Sequence, residues 1–282
     1  MMQVHAASDL RVRLRTAGAP TVGLVPTMGA LHAGHLSLVS RARRADDLVV
    51  VSVFVNPLQF GPSEDYARYP RPLERDLGLL EESGVDLAFT PAAAELTPPG
   101  ATTRVRVRGL TEGLEGASRP GHFDGVTTLV AKLFNLVAPT RAYFGEKDFQ
   151  QLAVIRRMVR DLDFAAQVVG CPTVREPDGL ALSSRNAYLS PAQRRQALAL
   201  SAALREAARQ WRGDAEATRA GLRTRLGSAP GVRLDYAEVV DPETLQPLQG
   251  VVDTSAQALV AGFVGATRLI DNIRLERDGA GT

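Results

Sequence analysis

The sequence predicts an α/β fold, a doubly wound parallel sheet followed by a smaller C-terminal α+β domain, and three observations carry that prediction. Strand-like and helix-like segments alternate from Thr21 to Val169; the composition changes near Pro172; beyond it, helices precede consecutive strand-like runs. Alternation predicts right-handed βαβ units with helices on both sheet faces, whereas helices followed by strands predict a small α+β unit. The boundary is placed accordingly, with one domain over 1–172 and the second over 173–282.

Thr21 to Val25 is a short apolar run that reads as a buried strand, and Leu36 to Ala45 follows with Leu38, Val39 and Ala42 at helical spacing. Valine-rich Asp47 to Val55 is the next strand. Leu73 to Ser83, closed by Gly84, is a helix, and Val85 to Phe89 a strand. Helices over Val126 to Val137 and Phe149 to Leu162 alternate with strands at Ala142 to Phe144 and Ala166 to Val169. Two segments interrupt the pattern. Pro91 to Gly100 is rich in proline and alanine, and Thr103 to Arg108 alternates valine with arginine, which predicts a strand whose charged edge can pair with a second copy of the chain. Ser190 as N-cap, Pro191 at N1 and Gln193 at N3 mark the start of a helix that runs to about Trp211. A second helix, Ala215 to Leu226, precedes strands at Leu234 to Val240, Ala258 to Val264 and Arg268 to Leu275; Asp278 to Thr282 reads as a frayed end.

Composition excludes several classes of function. With 282 residues, 45% hydrophobic and 23% charged, the chain has the make-up of a globular protein with a sizeable core. No apolar run approaches the ~20 residues of a membrane span, and the start carries no basic segment followed by an apolar one. One cysteine, Cys171, rules out an internal disulfide framework. Together these features predict a cytoplasmic protein with no membrane partner. The net charge of +2 supplies no field for nucleic acid. Of the 33 basic side chains only Lys132 and Lys147 are lysine. Lys147 lies in Gly145-Glu146-Lys147-Asp148 at a predicted strand end, where a compact point charge suits a phosphate better than a planar guanidinium.

The most informative stretch runs from Pro26 through Thr27, Met28 and Gly29 to His32 and His35, where a predicted strand passes into a predicted helix. Unpaired N–H groups and the helix dipole favour an anion there. Two other readings compete: ordinary core or surface histidines, and half of a metal site, for which the sequence offers no obvious complement. The usual glycine-rich phosphate motifs are missing, so a phosphate site here has to be of the histidine type.

Five blocks extend this stretch. Pro26 to His35, Phe54-Val55-Asn56-Pro57-Leu58-Gln59-Phe60, Arg119-Pro120-Gly121-His122-Phe123, Phe144 to Gln151 and Ser183-Ser184-Arg185-Asn186 resemble, in order and spacing, the pantothenate synthetase family of the HIGH-type nucleotidyltransferase superfamily. The resemblance covers essentially the whole chain. It implies a Rossmann-like domain that binds ATP and pantoate, a C-terminal lid domain, and a homodimer. The implied reaction has two steps: pantoate carboxylate attacks the α-phosphorus of ATP to give pantoyl adenylate, and β-alanine then takes the acyl group, releasing AMP.

The resemblance also implies roles. His32, His35 and Lys147 are catalytic. Pro26, Thr27, Met28, Gly29, Gly145, Glu146, Asp148, Leu182, Ser183, Ser184 and Arg185 complete the ATP site. Gln59, Gln151, Met28 and Asn56 bind pantoate, and Asp76 contacts Mg²⁺. Arg75, where the family often has an acid, and Leu182, where it commonly has methionine, depart from the pattern. Two alternatives remain on the sequence: an adenylyltransferase of the same superfamily with a different acceptor, and a nucleotide- or RNA-binding protein that retains the fold without catalysis. The blocks around Asn56 to Phe60 and Phe149 to Gln151 weigh against the first, and the near-neutral charge against RNA.

Overall fold

The structure is a computed structural model that describes residues 1–62 and 64–276, so the expected fraying of Asp278 to Thr282 lies outside the described residues. Internal packing divides the chain into two units, one of Met1–Glu146 with Gln150–Pro172, the other of Lys147–Phe149 with Thr173 onward.

The first unit holds six strands, β1 (Met2–Val4), β2 (Val22–Thr27), β3 (Leu48–Val53), β4 (Leu87–Phe89), β5 (Arg141–Gly145) and β6 (Gln167–Cys171), in the order β1-β4-β3-β2-β5-β6 with every neighbouring pair parallel. Its helices are α1 (Ala7–Ala17), α2 (Ala33–Ala45), α3 (Leu73–Glu82), the short α4 (Ala93–Leu96) and α5 (Glu115–Ser118), α6 (His122–Val137) and α7 (Phe149–Asp161). Side chains of β2 and β3 alternate between two cores. Leu24, Leu48 and Val50 pack with Leu10 of α1, Phe123 to Val137 of α6 and Ile155 of α7. Val25, Val49 and Val51 pack with Leu38 and Val39 of α2 and Leu80 of α3. A strand buried on both faces needs no polar alternation, which is why β3 reads as a valine-rich run interrupted only by Ser52. The predicted doubly wound sheet is the one observed.

Two sequence expectations need correction. The chain has an additional strand and helix at its start, β1 and α1, which the sequence did not announce: β1 buries only Val4, and α1 buries only Leu10, so neither shows a full apolar period. The strand predicted over Thr103 to Arg108 does not form a ladder among the described residues. Its alternation is real, with Val107 buried and Arg106 and Arg108 outward, but the Val105 N–H donates to the Thr128 hydroxyl (2.9 Å) and the Val105 carbonyl accepts from Thr127 (2.6 Å). Hydroxyls of α6 take the place of a neighbouring strand.

The second unit is an antiparallel meander of β7 (Val232–Val240), β8 (Ala256–Val264) and β9 (Thr267–Leu275), with α8 (Pro191–Gln210) and α9 (Ala215–Gly227). Ser190 and Gln193 form the predicted capping box of α8. Leu200, Leu204, Leu222 and Leu226 of the helices close over Val239, Ala258 and Val260 of the sheet. No helix among the described residues is long and apolar enough to cross a membrane.

Candidate active site

Strand order locates the site before any side chain is considered. From β2 the chain winds through β3 to β4 on one side, then crosses to β5 on the other, so the direction of winding reverses between β2 and β5. Ligands of open α/β sheets bind outside the carboxyl ends of the strands at such a switch point. The segment leaving β2 there is Met28 to His35.

This loop is held by polar groups beneath it. Thr27 donates its hydroxyl to the Ser52 carbonyl (2.8 Å), and the same oxygen accepts the Gly29 N–H (3.2 Å). Gly29 and Ala30 then take positive φ, 77° and 49°. A Cβ at Gly29 would lie 2.9 Å from the Asp76 carboxylate, so the tight turn requires glycine. Asp76 accepts the next two backbone N–H groups, Ala30 to Oδ2 (2.7 Å) and Leu31 to Oδ1 (2.8 Å).

The two histidines cap α2. His32 is the N-cap, its Nδ1 accepting from the Gly34 N–H (3.2 Å), while Nδ1 of His35 at N3 accepts from the His32 N–H (3.4 Å). The rings lie against each other at a centroid distance of 4.1 Å, tilted by 34°. A ring nitrogen that accepts a backbone N–H carries no proton, so each neutral imidazole bears its proton on Nε2. The fold therefore sets both tautomers, at the positive end of a helix.

Beside the loop lies the segment after β3. Asn56, fully buried, accepts the Leu58 N–H (3.1 Å) and donates to the Gln59 side-chain oxygen (3.1 Å) and the Gly125 carbonyl (3.1 Å). Gln59 in turn points its Nε2 at the Met28 sulfur (2.9 Å), which joins the Asn56 block to the histidine block. The first turn of α6 packs against this segment so closely that a Cβ on Gly125 would collide with the Leu58 carbonyl. His122 from the same turn meets the Gln59 carbonyl at 2.8 Å through Nδ1 and Arg119 at 3.1 Å through Nε2. Arg119 also binds Glu64 (2.9 Å) and the Gln59 carbonyl (3.3 Å). Arg119 and His122 thus hold the main chain of Gln59. Gln151 is half-buried and makes no side-chain hydrogen bond among the described residues, whereas its neighbour Gln150 is buried and ties down the 110–115 segment by accepting from the Glu115 N–H and donating to the Leu110 and Gly113 carbonyls. Gly145 ends β5, and Glu146 follows it.

In the second unit, Lys147 and Asp148 sit 3.9 Å apart by their charged atoms, and the Lys147 side chain is largely buried. Ser183 caps the short turn Ser184–Tyr188 by accepting the Arg185 N–H (3.2 Å), with Leu182 half-buried beside it.

The metal expectation at Asp76 meets a different arrangement. Its side chain is 1% exposed, with each oxygen already accepting a backbone N–H. Among the described residues no group of three or more His, Cys, Asp or Glu is placed to hold a metal ion, and this includes His32 and His35. These donors do not fit a protein-held Mg²⁺; Asp76 instead fixes the loop that carries the histidines.

The sequence profile described as Pantoate-beta-alanine ligase matches residues 2–274. The chain belongs to the pantoate-beta-alanine ligase family. It is 59% identical over 279 residues to a pantothenate synthetase of Thermus thermophilus, covering 98% of this chain and 99% of that one. A crystal structure of pantothenate synthetase from the same organism superposes with a TM-score of 0.91 at 56% identity, over 98% of this chain and 100% of the other. A Francisella tularensis pantoate-beta-alanine ligase, complexed with beta-gamma ATP and beta-alanine, superposes with a TM-score of 0.80 at 33% identity over 97% of each chain. Sequence reasoning missed the placing of Asp76 under the loop and of His122 behind Gln59; the buried-face position of Asp76 on an amphipathic helix was the only available signal for either.

Proposed function

We infer that this pantoate-beta-alanine ligase condenses pantoate with β-alanine at the expense of ATP through a pantoyl adenylate. In the first step a pantoate carboxylate oxygen bonds to the α-phosphorus as the bond to pyrophosphate breaks. In the second, the β-alanine amine attacks the acyl carbon, AMP leaves, and the amine loses a proton. Neither step needs a nucleophile from the protein. Catalysis is then alignment plus stabilisation of the charge that gathers on the pentavalent phosphorus.

The observation that carries this reading is the imidazole capping box at the switch point, with both Nδ1 atoms committed to backbone N–H groups. His32 and His35 direct Nε2–H donors at the phosphate oxygens, and the helix start adds the backbone's partial positive charge. Pro26, Thr27, Met28 and Gly29 form the floor, with Gly145 and Glu146 at the end of β5. Gln59 and Gln151 hydrogen-bond the pantoate hydroxyls and carboxylate, because neutral amides orient an anion without repelling it, and Asn56 holds Gln59. Lys147, Asp148, Leu182, Ser183, Ser184 and Arg185 are assigned to the nucleotide on the family resemblance, Lys147 to the β- and γ-phosphates. The N-terminal domain over 1–172 is then the ATP and pantoate domain, and 173–282 its lid. Mg²⁺ enters with ATP on the phosphate oxygens, with no carboxylate of this chain assigned to it. A homodimer in the cytoplasm completes the proposal.

Mass spectrometry after incubation with ATP, Mg²⁺ and pantoate, without β-alanine, tests this directly. Pantoyl adenylate is the expected product, with AMP release requiring both organic substrates. AMP release with another acceptor alone would reinstate a different adenylyltransferase.

A further inference from the structure

The C-terminal sheet buries a polar chain whose role the assigned reaction leaves unexplained. Asn272 lies within β9 at 6% exposure and Gln257 on neighbouring β8 at 4%. Buried amides in an apolar sheet are costly unless hydrogen-bonded, so their partners reveal what they hold. Asn272 Nδ2 donates to the main-chain carbonyl of Lys147 at 2.8 Å, and its Oδ1 accepts from Gln257 Nε2 at 2.7 Å. The orientation of the amide follows from chemistry: a main-chain carbonyl only accepts, so the Asn272 atom facing Lys147 is the NH₂ group, and the oxygen must look toward Gln257. The backbone of Asn272 is fixed as well. Its N–H donates to Asp271 Oδ1 (2.8 Å), its carbonyl accepts from Arg175 (3.3 Å), and Arg175 grips the Asp271 carboxylate with two bonds of 2.7 and 2.9 Å.

We propose that Asn272, oriented by Gln257, is a positioning residue for Lys147: it fixes the lysine's main chain from the C-terminal sheet so that the ammonium is presented to the ATP phosphates from a set point. This rests on the reading of Lys147 as a phosphate contact. It also explains why Lys147–Phe149, separated from β5 only by Glu146, pack as part of the second unit. A long flexible side chain binds phosphate well only when its root is held, and an ångström of misplacement costs up to about 10²-fold in rate.

Asn272→Asp is the critical variant, because it keeps the acceptor for Gln257 while replacing the donor to Lys147 by an oxygen. Its kcat/KM for ATP in pyrophosphate release should fall about 10-fold with KM for pantoate unchanged. Gln257→Glu, which turns the Asn272 amide around by offering it only oxygens, should give a loss of the same kind. On a Lys147→Ala background, Asn272→Asp should cost nothing further, since a residue acting through Lys147 has nothing left to position. Equal ATP kinetics for Asn272→Asp and wild type, with Lys147→Ala impaired, would overturn the proposal alone; multiplying losses in the double variant would make Asn272 merely structural and overturn it too. Wild-type ATP kinetics in Lys147→Ala would overturn the phosphate reading itself, and the proposal with it.

Discussion

His32 and His35 on one side and His122 on the other are the same residue type in the same unit, yet their ring nitrogens are used in opposite ways. The pair accept backbone N–H groups through Nδ1, so the proton is on Nε2. In His122, Nδ1 faces the Gln59 carbonyl and must donate, while Nε2 faces an arginine N–H and must accept. Its tautomer is the reverse, with both nitrogens spent inside the protein, and the ring is 8% exposed. The contrast teaches that the partner of the first nitrogen decides what the second can do. A ring pinned by backbone donors keeps its proton on the far nitrogen; one pinned between a carbonyl and a guanidinium only holds its neighbours.

Removing one ring from the pair should have the largest effect. His35→Ala is expected to slow adenylation by about 10²-fold or more, the usual cost of a transition-state donor. Pyrophosphate release in single-turnover experiments checks it, and a folded variant with near-normal release would show that the pair is not what stabilises the phosphorus. Next comes the support beneath the pair. Asp76→Asn puts an amino group against a backbone N–H, with about 1–3 kcal/mol of stability lost and adenylation slowed about 10-fold as the loop shifts. The Mg²⁺ concentration giving half-maximal rate should stay where it is; a raised requirement at unchanged stability would make Asp76 a metal ligand after all. Smaller again is His122→Asn, which keeps a donor for Gln59 but removes the ring nitrogen that faces Arg119 Nη1, while Glu64 and the Gln59 carbonyl still accept from the guanidinium. KM for pantoate should rise about fivefold, equivalent to one modest hydrogen bond, with kcat retained. A loss in kcat instead would place His122 with the pair.

The comparison also marks where the sequence stopped being legible. The pair could be read because both histidines fall within one turn at a strand-to-helix junction, and local spacing is what a sequence displays. The sheet was readable for the same reason, since Leu24 and Val25 or Val50 and Val51 send adjacent side chains to opposite cores. His122 reaches Gln59 across 63 residues and Asp76 reaches Leu31 across 45, and no local pattern encodes such pairings. Arg104 to Arg108 failed differently: alternation reports which side is buried, and α6 hydroxyls satisfied Val105 where a strand was expected. A pattern of side chains cannot name the partner of a backbone.

The last test breaks the comparison through pH. Burial first, then the Arg119 charge, lowers the His122 pKa from 6.5 to about 4, against raising contributions from the Gln59 carbonyl, Glu115 and Glu64. Glu64, although burial raises it, is held below the usual carboxylate range by Arg119, so the guanidinium is shared between an anion and a neutral ring. The unfolded chain takes up a proton at His122 near 6.5, whereas the folded chain resists until about 4. Stability from this group is therefore complete above the higher value, falls as pH drops through the window, and is gone below the lower one, a change on the order of 3 kcal/mol. Denaturant unfolding of wild type and His122→Asn at several pH values across that window isolates it, because the carboxylates titrate in both chains. The wild type should lose stability more steeply on acidification. Parallel profiles would mean that His122 is protonated in the fold like an ordinary surface histidine, and the distinction between a ring that holds and a pair that donates would fail at its simpler end.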